Sequence, residues 1–382
     1  MKKIPLLLVL LAMSGCGSVD MVKGWMDNKA GMAEPTKLVE FSQTARFAER
    51  WHADIGESGA SPLQASLTRD AVYGASGKGV LTRLDRATGR QVWRVESNIT
   101  VSAGVGSGDG LVLLGSDKGE VHAFGEDGVL RWKRTVSSEV LGVPQVSEGI
   151  VVVRSGDGRI TGLSVADGKR LWVYERSTPA LVVRSHAGVT IRRGVAYAGF
   201  AGGKLIALKL TDGSLMWENS VSIPRGNTEL ERISDITSNP LVSDALVCAI
   251  AFQGNLACFD SSQGSPLWNR EIASDKGLFI LRKQLYLSDA RGAVQALDKD
   301  SGSTIWKNEQ LILRDISAPY GHDSFVVVGD YEGYLHALNR DDGRFVARIK
   351  LDGSALSVAP VQLDDGMLVQ TRKGGVYSLS LH

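Results

Sequence analysis

The chain has 382 residues, 43 lysines and arginines against 42 aspartates and glutamates, and an apolar share of 43%. That balance belongs to a folded globular protein and excludes disorder, a collagen-like fibre and a polytopic membrane fold. A net charge of +1 provides no basic field to hold a polyanion, so nucleic acid is not an expected partner.

Lys2 and Lys3 precede an apolar run, Ile4 to Met13, too short to span a bilayer and followed by small residues. Residues 1–15 read as a secretory signal. Ser14-Gly15-Cys16 resembles the lipobox of bacterial lipoproteins, whose cysteine becomes the lipidated N-terminus after cleavage; Met13 stands where that pattern prefers leucine. The resemblance implies lipid on Cys16 and a mature chain with 41 basic and 42 acidic residues. Gly17 replaces the aspartate that would resemble an inner-membrane retention signal, which points to the outer membrane with the anchor facing the periplasm. A soluble periplasmic protein is the alternative. Such an anchor holds a globular body at a bilayer, each buried methylene adding roughly 0.8 kcal/mol. Residues 16–45 then form the lipidated cysteine and a polar tether interrupted by Gly24, Gly31 and Pro35, with a typical reach of roughly 30 Å.

From residue 46 onward one unit recurs. A glycine followed by a short alternating strand appears as GVLTRLD (Gly79), GEVHAFG (Gly119), GRITGLS (Gly158), GKLIALK (Gly203), GNLACFD (Gly254), GAVQALD (Gly292), GYLHALN (Gly333) and GGVYSLS (Gly374). Six of the following turns continue as Gly-x-x-x-Trp: Gly89/Trp93, Gly128/Trp132, Gly168/Trp172, Gly213/Trp217, Gly264/Trp268 and Gly302/Trp306. The tryptophans are 39, 40, 45, 51 and 38 residues apart, the period of propeller blades. Within each unit a proline at the edge of the first strand (Pro144, Pro240, Pro319, Pro360), a β-branched second strand, a glycine hairpin and an Asp-Gly or Ser-Gly turn mark out four short strands. No segment carries a helical period. The fold class is all-β, a single eight-bladed β-propeller over residues 46–382. The last unit stops at Leu381-His382 after its third strand, while RFAERWHA around Trp51 is an orphan strand. Pairing of the terminal strands is therefore expected to close the ring and remove an exposed edge.

Little in the chain points to catalysis. The six histidines form no metal-ligand spacing. His122 and His336 share a repeat position filled elsewhere by Thr82, Thr161, Ile206, Ala257, Gln295 and Tyr377, and so read as strand-face residues. GVGSGDG (Gly104 to Gly110) matches no phosphate-binding pattern and reads as a turn. Asp157, Asp167 and Asp212 fit turn chemistry. Cys258 occupies a slot held elsewhere by alanine, and Cys248 one held by Tyr or aliphatic residues; both read as core fillers, with a cross-strand bridge as the alternative. Trp51, Trp93, Trp132, Trp172, Trp217, Trp268 and Trp306 read as structural, docking blade on blade. Ala347 stands where a further tryptophan is due, marking blade seven as the weaker interface or one that borrows packing.

The Ala-(Leu/Phe)-Asp-x-x-x-Gly-x-x-x-Trp unit resembles the repeats of quinoprotein (PQQ-type) propellers. The lipobox, GNTELERISDITSNPLV (Gly226 to Val242) and VVGDYEGYLHALNRDDGRFVA (Val327 to Ala347) are similar to the BamB family of lipoproteins in the outer-membrane β-barrel assembly machinery, the BAM complex. The repeat is broken by two insertions, Ser177 to Gly188 and Ile223 to Asn239, where function is most expected. The first offers Leu181, Val183 and Arg184; the second offers Glu229, Glu231, Arg232 and Asp235. In the resembled family the corresponding loops engage a POTRA domain of BamA. That implies Leu181, Val183, Arg184 and Asp235 as contacts, with Thr237 replacing a second family acid. The expected function is a non-catalytic scaffold without cofactor or metal, binding BamA and, by extension, unfolded outer-membrane proteins. The alternatives are a quinoprotein dehydrogenase, which the absence of an adjacent cysteine pair disfavours, and a glycan-binding propeller.

Overall fold

The computed structural model describes residues 34–382. The signal segment, Cys16 and most of the expected tether lie outside the described residues. From Thr36 onward the chain is one compact unit of eight four-stranded antiparallel sheets. Blades one to seven each take four consecutive strands. Blade three, for example, is Gln145–Ser147, Ile150–Arg154, Ile160–Ser164 and Arg170–Tyr174, and blade four is Val189–Arg192, Val195–Phe200, Lys204–Lys209 and Leu215–Ser220. Blade eight joins Val361–Leu363, Gly366–Gln370 and Gly375–Leu381 to Phe47–Asp54 as its outermost strand, running from Phe47 opposite Leu381 to Asp54 opposite Gly375. The ring closes as the repeat count requires. Among the described residues no helix is long and apolar enough to cross a membrane. GVGSGDG differs from its expectation: Gly104 to Gly108 belong to the innermost strand of blade two, and only Asp109-Gly110 make the turn.

The tryptophans join each blade to the next. Each indole N–H donates to a main-chain carbonyl of the following blade at 2.7–3.3 Å, from Trp51 to Arg86 through Trp306 to Arg340. Each ring also lies on that blade's turn glycine: Gly89, Gly128, Gly168, Gly213, Gly264, Gly302 and Gly343. These seven glycines have φ between +68° and +82°, a region costly for other residues. An added Cβ would come within 2.4–3.1 Å of the indole. In five blades the cross-strand partner of the tryptophan is small, leaving room for the ring: Ala123, Gly162, Ala207, Cys258 and Ala296, whereas Trp93 faces Arg83 and Trp51 faces Ser378. Burial of an indole in this way contributes on the order of 3–5 kcal/mol as judged by truncation to alanine.

Ala347 falls at the one junction where this lock has no receiver. Blade eight is completed by the N-terminal strand and has no turn between its third and fourth strands. The incoming chain fills that space, with Thr44 and Ala45 donating main-chain N–H to the Val346 carbonyl and Ala45 and Phe47 packing on Val346 and Ala347. Blade seven thus borrows its packing.

The expected tether ends sooner than residue 45. Residues 36–45 form a strap along blade seven, because the segment carries apolar residues that find cover there: Leu38, Val39 and Phe41 pack beside Trp306 and Phe345. Thr36 bonds Ile312 through both N–H and hydroxyl, each at 3.0 Å. Arg348 lies over Phe41 and donates to the Val39 carbonyl at 3.0 Å, and Arg314 donates to the Thr36 carbonyl at 3.1 Å. Behind the strap Asp330 is fully buried, accepting Arg314 at 2.7 and 2.9 Å, His336 Nε2–H at 3.0 Å and the N–H groups of Glu332 and Tyr334. His336 Nδ1 in turn accepts from Arg348 Nε at 3.0 Å. Burial holds His336 below its ordinary value, with Arg348 and Arg314 adding to the effect against the pull of Asp330. Burial alone would raise Asp330, but its hydrogen bonds and cationic neighbours outweigh it and hold the carboxyl low.

The core-filler reading of the cysteines is corrected. Cys248 and Cys258 form a disulfide in blade five. Both are fully buried, as the repeat positions imply, but the two positions face each other across adjacent strands, as Leu113 faces Ala123 and Tyr197 faces Ala207 in other blades. Two cysteines placed there, Cα atoms 4.1 Å apart, meet.

Two predictions follow from these contacts. Replacing both cysteines by alanine should lower unfolding stability by about 2 kcal/mol while far-UV circular dichroism is retained, since the closed loop is short; unchanged stability in denaturant titration would contradict a formed bridge. Because the folded His336 is depressed, its share of stability is complete above about pH 6.5 and is lost as pH falls through its lower folded value. Wild type should therefore lose stability from pH 7 to pH 5, and His336→Asn should flatten that slope; equal slopes would refute the assignment.

Candidate functional site

The two longest connections between blades lie side by side on one face. One joins the outer strand of blade three to the inner strand of blade four, and the other joins blade four to blade five. Neither forms a strand over its insertion, so each is held by specific bonds. Asp235 is the main fastener: its carboxylate accepts the Val183 N–H at 2.7 Å and the Gly202 N–H at 3.0 Å, tying both connections to a hairpin of blade four. Asn239 accepts the Gly188 N–H at 2.6 Å, and His186 bonds the Leu141 carbonyl at 3.2 Å. In the second connection Glu231 accepts the N–H groups of Asn227 and Thr228 at 2.7 and 3.2 Å, and Thr228 Oγ1 accepts the Glu231 N–H at 3.3 Å. This reciprocal capping rounds off the turn.

Arg184 stands exposed beside this fastening. Its guanidinium forms a two-point pair with Glu139, Nη2 to Oε2 at 2.7 Å and Nε to Oε1 at 3.1 Å, and those hydrogen bonds raise its already high pKa. A paired, planar fork held at the surface is well placed to share an incoming carboxylate. Next to it in the chain Leu181 and Val182 are exposed, and the second connection presents Ile223 and Leu230, which are 66% and 68% exposed. A pocket of about 190 Å³ opens beneath the first loop, lined by Glu139, Arg154, Val183, Phe200, Asp235 and Ile236 among others.

The structure gathers the four expected contact residues but gives them different positions. Leu181 and Arg184 face outward. Val183 is half-buried against the pocket, and Val182 is exposed in its place, because the segment is not a strand and alternate residues do not share a face. Asp235 is 4% exposed and its carboxylate is taken up by loop N–H groups, so it holds the site rather than presenting itself. Thr237 is buried as well. Glu229 and Arg232 pair with each other at 3.5 Å. Val182, Ile223, Leu230 and Glu139 were not singled out by sequence reading. Ile223 and Leu230 stand as lone apolar residues within a polar insertion, a signal that was available; for Val182 and Glu139 there was none, since both depend on the loop's path.

Elsewhere, the turn aspartates serve the turns. Asp157, Asp167 and Asp212 accept main-chain N–H groups two residues on. Among the described residues no cluster of three or more His, Cys, Asp or Glu has the geometry of a metal site.

A family model described as outer membrane protein assembly factor BamB matches residues 77–308. The chain is 40% identical to outer membrane protein assembly factor BamB of Burkholderia pseudomallei over 90% of each chain. Among solved structures it superposes on BamB from Moraxella catarrhalis with a TM-score of 0.81 at 25% identity, covering 88% of this chain and all of that one. A quinohemoprotein alcohol dehydrogenase from Comamonas testosteroni shares the fold alone, with a TM-score of 0.72 at 13% identity over 87% of this chain and 76% of that one. The chain belongs to the BamB family of outer membrane protein assembly factors.

Proposed function

We propose that the protein is a non-catalytic scaffold of the BAM complex, tethered through Cys16 to the periplasmic face of the outer membrane, that docks a POTRA domain of BamA and so assists insertion of β-barrel proteins. The observation that carries this reading is the paired connection between blades three, four and five. It is fastened from within by Asp235 and Asn239, offers Leu181 and Val182 next to the charged fork of Arg184, and exposes Ile223 and Leu230 on the second connection. Apolar anchors ringed by polar groups are what a specific protein interface needs at its centre. The assembly-factor role by which its relatives are known agrees with a binding module rather than an enzyme. The tryptophans that a glycan platform would require are engaged in the locks between blades.

Leu181→Arg and Arg184→Ala should each abolish co-purification of BamA from detergent-solubilised membranes with the melting temperature unchanged; full recovery of BamA by both variants would refute the docking face. Asp235→Ala should weaken recovery and also increase proteolytic cutting within residues 177–188, since it frees the loop; weakened recovery with an uncut loop would make Asp235 a direct contact instead. With residues 1–16 replaced by a cleavable secretory signal that has no lipobox, the chain should move from the membrane to the soluble periplasmic fraction, and membrane retention would contradict the lipid anchor.

A further inference from the structure

We propose that Arg154 is a second, recessed docking cation. Resting on the reading above, it receives one carboxylate of the BamA POTRA domain, an Asp or Glu side chain beside an apolar residue, in the pocket beneath residues 177–188.

The repeat itself sets this arginine apart. Four residues before the hairpin glycine, the eight blades carry Ala75, Gly115, Arg154, Gly199, Ile250, Ser288, Gly329 and Gln370. Arg154 is the one charge in that column. In blades two, four and seven the position is glycine because an apolar residue of the following or neighbouring connection sits on it: Val140 on Gly115, Ile236 on Gly199 and Leu356 on Gly329. Blade three departs from this arrangement. Its connection, residues 177–188, arches over and leaves the pocket of about 190 Å³ with the guanidinium among its walls.

That guanidinium is under-bonded. It has five N–H donors in a fixed plane, and among the described residues its acceptor is the Ala187 carbonyl at 3.2 Å. Its carbon lies over the Phe200 ring, 5.0 Å from the centre, a cation–π contact. The two acids of the pocket are committed elsewhere. Glu139 pairs with Arg184, and Asp235 accepts the Val183 and Gly202 N–H groups. Burial brings Arg154 down to about 10, with Asp235 opposing, so it keeps its charge at neutral pH. A charge held partly out of water with few partners gains more from a hydrogen-bonded counter-ion than an exposed one does. The apolar walls, Val183, Phe200 and Ile236, suit the flank of the entering residue. Arg184 at the rim and Arg154 below would thus read two separate carboxylates.

The test is the affinity of the full-length lipoprotein in detergent for the purified POTRA domains of BamA, by calorimetry. Arg154→Met should weaken binding at least about tenfold, as loss of a charged hydrogen bond does, and Arg154→Lys should recover part of it. Wild-type affinity in both variants, with binding still abolished by Arg184→Ala, overturns the role of Arg154 and leaves the docking face standing. Absence of binding by the wild type overturns the docking reading itself. To separate a direct contact from a change in the loop, the Nε–H resonance of Arg154 in the wild-type chain is followed as POTRA domains are added. A shift on saturation supports a carboxylate at the guanidinium, and an unmoved resonance overturns it.

Discussion

Everything in this ring depends on an indole lying on a glycine. The turn glycine adopts a backbone conformation that other residues avoid, and the same missing Cβ admits the preceding blade's tryptophan. One residue therefore meets a local and a long-range demand together, which is why Gly-x-x-x-Trp recurs in register. The indole N–H, bonded to the next blade's carbonyl, removes the cost of burying a donor. Stability here is carried by nearest-neighbour interfaces, as in other repeat architectures, and closure by the Phe47–Asp54 strand leaves no blade unsupported.

The seam shows what happens where that lock is absent. Ala347 makes way for the chain entering blade eight, and residues 36–45 add an apolar strap over blade seven. The strap is held by Arg314, paired with the buried Asp330, and by Arg348, which donates to the neutral His336. Nearly every polar group of this cluster finds a partner, the exception being the buried Nη2 of Arg348. The cluster fastens residues 36–45, among the first described residues, to one edge of the propeller.

Legibility in the sequence followed periodicity. Eight glycine-led strands, seven tryptophans and an orphan strand around Trp51 specified the blades and their closure, because each signal repeats a contact that the fold repeats. The insertions stood out for the opposite reason, as interruptions. What periodicity does not encode was missed or left open: the strap, whose Leu38, Val39 and Phe41 have no repeat partners, was missed, and the bridge between Cys248 and Cys258 stood only as the alternative to core filling, because it depends on strand register. The interior of the docking site was equally hidden. Asp235 turns inward and Val182 outward because of a loop path set by a few hydrogen bonds, and no spacing rule predicts such a path.

The central claim is that one face of the propeller, formed by two connections, is where a partner protein docks. Site-specific photo-crosslinking in intact cells tests it most directly, with the reactive group placed at Leu230 on that face, at Val92 on an outer strand and at Asp323 on a turn between first and second strands. The account predicts a crosslink to BamA from Leu230 and none from Val92 or Asp323. Crosslinks to BamA from Val92 or Asp323 with none from Leu230 would contradict it.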